Sequence, residues 1–88
     1  MNNYQKLEML DGLIAGVESS TGSSGRPGLL FEHLRASRRY MMGGMPDECR
    51  LTLRQAKESA AYCIADTSAR AKTVAALQGL IDATARTA

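Results

Sequence analysis

Cys49, Leu53, Ala56, Ala60 and Cys63 recur at alternating spacings of four and three over two heptads, the most regular pattern in the chain. This spacing keeps side chains on one face of an α-helix. Leu53 is the one large residue among them, so the face is a seam of small side chains. Small residues at successive seam positions let another helix backbone come close. The pattern therefore predicts a central helix on which Cys49, Leu53, Ala56, Ala60, Cys63 and the adjoining Ile64 form a helix-packing or dimer seam. The neighbour is either another helix of the same chain or a second copy.

The rest of the chain offers little else from which to build a core. Leu, Ile, Val and Phe together occupy 16 of the 88 positions, while Ala alone occupies 13. A domain of this size buries roughly 60 to 65 % of its unfolded surface, so the core is thin. The net charge is only +2, which lacks the charge excess of a disordered chain. The expectation is a folded but marginal domain, completed by association with another chain.

Leu7, Leu10, Ile14 and Val17, widened by Met9 and Leu13, predict an amphipathic helix within residues 1–19. Gly12 and Gly16 each cost that helix about 1 kcal/mol relative to Ala, so it is expected to be mobile when unpacked. Residues 20–28 read as a Gly/Ser/Pro linker, in which Pro27 biases its predecessor toward extended backbone. Residues 29–88 form the hairpin or bundle core. A second helix over 29–42 turns Leu30, Phe31, Leu34 and Met41 inward and ends at Gly43-Gly44. Pro46 suits the first turn of a third helix, and Asp47 and Glu48 suit the positive end of its dipole. The short Gly-Gly-Met-Pro connection predicts an antiparallel hairpin. Asp66-Thr67-Ser68 brings together three N-cap residue types, predicting a break and a fourth helix over 69–84 that carries Val74, Leu77, Leu80, Ile81 and Thr84. One helix running from 47 to 85 is the alternative. No run alternates as a half-buried strand would. The fold class is all-α: a small dimeric bundle of three to four short helices around a central antiparallel helical hairpin.

Several function classes are disfavoured. No stretch approaches the roughly 20 apolar residues of a membrane span, and the first residues lack a secretory leader pattern, so a cytoplasmic protein without membrane contact is expected. Cys49 and Cys63 lie 14 residues apart, or about 21 Å along one helix, too far for a disulfide or for joint ligation of one metal ion. His33 is the sole histidine, and nothing sets it beside a thiol and an orienting group. Residues 16–24 (G-V-E-S-S-T-G-S-S) lack the lysine and preceding strand of a phosphate loop. No catalytic, cofactor-binding or metal-binding residue is expected, and the chain reads as a non-enzyme.

Binding of another protein fits better. Met41, Met42 and Met45 form a flexible, polarizable cluster suited to a partner surface. Arg35, Arg38 and Arg39 would steer encounter with an acidic one. The expected function is a small regulatory or adaptor protein, homodimeric, that sequesters or positions a partner by occlusion. The alternative is a DNA- or RNA-binding regulator using Arg35, Arg38 and Arg39, continued by Arg50, Arg54 and Lys57. The interspersed Glu32, Asp47, Glu48 and Glu58 and the modest net charge weigh against it.

The stretch Arg38-Arg39-Tyr40-Met41-Met42-Gly43-Gly44, with Arg54-Gln55-Ala56-Lys57-Glu58-Ser59-Ala60 on the following helix, resembles the small helical-hairpin co-chaperones of type III secretion needle subunits. The resemblance covers less than half of the chain and implies a secretion-system subunit as partner. The additional helix at each end departs from that family's short pattern.

Overall fold

A computed structural model describes residues 2–20, 28–64 and 66–85. Among these residues there are four α-helices and no strand: α1 (Asn3–Ser20), α2 (Gly28–Met42), α3 (Pro46–Cys63) and α4 (Thr67–Ala85). The break expected at Asp66 is present, and the single helix from 47 to 85 does not form. Ser20 closes α1 and Gly28 opens α2, so the ends of the expected linker are helical, while residues 21–27 lie outside the described residues.

Local chemistry fixes most of the helix ends. At the start of α1 the Asn2 side-chain oxygen accepts the Gln5 N–H at 2.8 Å, and the Gln5 side-chain oxygen accepts the Asn2 N–H at 3.0 Å. That reciprocal pair is a capping box. α2 ends where Gly44 turns to a φ of +69°, a region that costs glycine nothing. The Met45 N–H then donates to the Tyr40 carbonyl at 2.9 Å, and the Gly44 N–H to the Met41 carbonyl at 3.3 Å. These are the two bonds of a Schellman motif. Pro46 follows at the start of α3, with Asp47 and Glu48 in its first turn, as the sequence predicts. Beyond α3, Ile64 is extended, and the Asp66 carboxylate accepts the Ala69 N–H at 2.7 Å, capping α4.

α1 packs on α2, α2 on α3, and α3 on α4. α3 is therefore shared between two neighbours, and Cys49, Leu53, Ala56 and Ala60 are buried along it. α1 contributes Leu10 and Val17, α2 contributes Leu30, Leu34 and Met41, and α4 contributes Leu77, Leu80 and Ile81. Each fully buried Leu stabilises the fold by about 1.5–3 kcal/mol. Leu7, Met9, Leu13, Ile14, Phe31 and Val74 pack half-buried around this core, so the expected stripes face inward with their edges exposed.

Nothing lies within 4 Å of where a Cβ on Gly12 or Gly16 would stand. Gly12→Ala and Gly16→Ala are each expected to stabilise the protein by about 0.4–1 kcal/mol. Gly44→Ala, forced into left-handed backbone, is expected to cost about 1–2 kcal/mol. Thermal unfolding followed by circular dichroism checks the ranking, which fails if Gly44→Ala unfolds at or above the wild-type temperature.

Candidate functional site

Of the seam residues, Cys49, Leu53, Ala56, Ala60 and Ile64 are buried in the core, and Cys63 is half-buried at the end of α3. The small side chains face the chain's own helices. A dimer joined through this seam would have to exchange those neighbours for the helices of a second copy. Ser37, absent from the predicted set, is fully buried on α2. Its hydroxyl oxygen lies 2.8 Å from the His33 carbonyl and 2.7 Å from the Thr52 hydroxyl, and the Cys49 thiol donates to the Ser37 carbonyl at 3.5 Å. Polar groups so partnered carry little burial penalty. A signal for Ser37 existed: Leu30, Leu34, Ser37 and Met41 follow the same four-three-four spacing as the seam.

The methionine cluster is divided. Met41 is buried, whereas Met42 and Met45 are exposed. The arginines also separate. Arg38 pairs with Asp11 of α1 at 2.6 Å, and its guanidinium donates to the Met42 sulfur at 3.1 Å. Arg35 sits 5.7 Å from the centre of the Phe31 ring, within cation–π range. Arg35 and Arg39 are exposed and share a shallow groove between α2 and α3 with Glu32, His33 and Gln55. Further along the expected basic row, Arg50 pairs with Asp47 and Lys57 donates to Gln78 of α4.

At one end of the bundle all four helices meet around an open cleft of about 200 Å³. α1 supplies Asn3 and Lys6, α2 supplies Met41, the turn supplies Gly44 and Met45, α3 supplies Pro46 and Cys49, and α4 supplies Thr84. Sequence reasoning singled out neither Lys6 nor this convergence. Lys6 is only 3 % exposed, because it precedes Leu10 by four residues and shares its inward face. Among the described residues its ammonium forms no ion pair, and no buried side-chain nitrogen lacks a partner, so the stem is buried while the ammonium keeps contact with water. Burial pushes the Cys49 thiol above its ordinary pKa, and the Lys6 charge draws it part of the way back. Among the described residues no three His, Cys, Asp or Glu side chains gather as metal ligands, and no helix is long and apolar enough to cross a membrane.

No family model, curated protein or solved structure matches the chain.

The folded state holds the Cys49 proton more tightly than the unfolded state does. The resulting stability is present below the ordinary thiol pKa and is lost as pH rises through and above it. Wild-type stability is expected to fall more steeply than that of Cys49→Ala above about pH 8.5; equal slopes in pH-dependent urea unfolding would contradict the assignment. In the folded protein, alkylation should reach Cys63 well before Cys49, as peptide mass mapping would record.

Proposed function

We propose that the chain is a non-enzymatic regulatory or adaptor protein that sequesters or positions a partner protein, acting as a homodimer built on an antiparallel α2–α3 hairpin. The observation that carries this reading is that a chain poor in large apolar residues leaves several in water. Met42 is 62 % exposed, Tyr62 is 88 % exposed, and Met45 and Leu51 are exposed as well. Met42 and Met45 flank the α2–α3 turn, whose backbone is fixed by the Schellman bonds while the thioether chains stay adaptable. Arg35 and Arg39, exposed further back on α2, suit an acidic partner, because complementary charge speeds encounter. Leu51 and Tyr62, separated by 11 residues on α3, fall about three turns apart on one face, away from the buried seam. We assign the second copy to that face. Two free thiols suit a reducing, cytoplasmic setting.

The nucleic-acid reading would use the same Arg35 and Arg39, but Glu32 lines their groove and Arg38 is engaged by Asp11. Affinity capture separates the two readings. A protein retained by the wild type should be lost with Met42→Ser/Met45→Ser and persist as salt rises. Binding that disappears with nuclease treatment, or falls linearly on a log–log salt plot, would sink the adaptor reading. Light-scattering mass should show a dimer that Leu51→Glu/Tyr62→Glu reduces to a monomer; a monomeric wild type removes the dimer from the proposal.

A further inference from the structure

We propose that the homodimer forms by antiparallel contact of α3 with the α3 of a second copy, in a register that sets Leu51 against the partner's Tyr62 and Arg54 against the partner's Glu58. This rests on the homodimer proposed above and supplies its direction and register.

Opposite its buried seam, α3 carries a second stripe of the same period. Leu51, Gln55, Glu58 and Tyr62 follow one another at four, three and four residues, and all four are exposed. Residues so spaced share one helix face. The stripe is symmetric in position as well: Leu51 and Tyr62 lie equally far from the midpoint between Ala56 and Lys57, and so do Gln55 and Glu58. An isologous contact must be self-complementary. A second copy of α3 placed by a two-fold axis at that midpoint runs antiparallel and brings its Tyr62 level with Leu51. Apolar side chains then meet at both ends of the contact, with polar ones between them.

Charge fixes the direction. Arg54 and Glu58 both line a shallow groove on the α4 side of α3, whereas Gln55 lines the groove on the α2 side. In the antiparallel two-fold contact the α4 side of one copy meets the α4 side of the other. Arg54 then stands within about 1.5 Å, one residue's rise along the axis, of the level of the partner's Glu58. A parallel pair would instead set Glu58 level with the partner's Glu58 at the centre of the contact, and like charges so placed oppose association. Both groups are available for the pairing. Arg50 and Lys57 on the same helix are engaged by Asp47 and Gln78, but among the described residues Arg54 and Glu58 form no ion pair. The charges set the register, while burial of Leu51 and Tyr62 supplies the affinity.

Cross-linking tests the direction. In a Cys63→Ser background, full-length Leu51→Cys and Tyr62→Cys chains are mixed in equal amounts and treated with a short bis-maleimide. The mixture is expected to give a product joining position 51 of one chain to position 62 of the other. Leu51→Cys alone should stay monomeric on a denaturing gel, because its two thiols would stand about 16 Å apart along the axis. Sedimentation tests the charges. Arg54→Glu and Glu58→Arg are each expected to raise the dimer dissociation constant about 10-fold, and an equimolar mixture of the two chains to return it to within about 3-fold of the wild type. Self-cross-linking of Leu51→Cys, or a dimer indifferent to both charge reversals, overturns this register and leaves the homodimer standing; a monomeric wild type overturns both. Positions 51, 54, 58 and 62 are all exposed, so substitutions there leave the core intact.

Discussion

Close approach to the Leu53, Ala56 and Ala60 face of α3 is the constraint on which the other helices depend. A chain with this few Leu, Ile, Val and Phe residues cannot fill a wide core. It gains cohesion by bringing helices near enough for many weak dispersion contacts, which fade over fractions of an ångström. Ala at two successive seam positions provides that proximity, and Leu53 between Cys49 and Ala56 supplies the bulk that the alanines lack. α2 and α4 both rest on α3, along which these small residues are buried.

The polar groups that the fold buries are arranged around this contact. Ser37 and Thr52 join α2 to α3 through hydroxyls rather than methyl groups, and the Cys49 thiol completes the set by reaching the Ser37 carbonyl. Hydroxyl and thiol are compact, so they keep the helices near one another while satisfying nearby carbonyls. Lys6 differs. It adds a charge at the rim of the same interface, next to a thiol whose proton burial already favours. The two ends of the bundle therefore differ chemically, and the end bearing the α2–α3 turn holds the lysine.

Features set by neighbours in sequence were legible before any coordinates. Pro46 with Asp47 and Glu48, the Gly43-Gly44 stop, and the cap residues at Asp66 marked helix ends where the structure has them, because caps and turns act over three or four residues. The stripe on α4 was legible for the same reason, since Leu77, Leu80, Ile81 and Thr84 are all buried. The Asn2 and Gln5 box is equally local, and its spacing of three residues is readable in the sequence. The engagement of Arg38 by Asp11 was not readable, because it depends on the register of α1 against α2. Burial of Lys6 was hidden by the ordinary preference of lysine for water, and the cleft has no linear signature, since its walls come from both ends of the sequence. The function was the least legible part: Met41, Met42 and Met45 cluster in sequence, yet the structure sends one inward and leaves two outside.

Each helix packs chiefly on the one that follows it in the chain, and such local connectivity belongs to fast-folding topologies. During synthesis α2 and α3 can dock while α4 is still inside the ribosome, since domains assemble as their segments emerge. The cleft cannot be finished so early. Its last wall, Thr84, stands at the far end of α4, 84 − 6 = 78 residues after Lys6. The enclosure around that lysine is thus finished only once α4 is in place, and a nascent chain halted before α4 would display the cleft with one side missing.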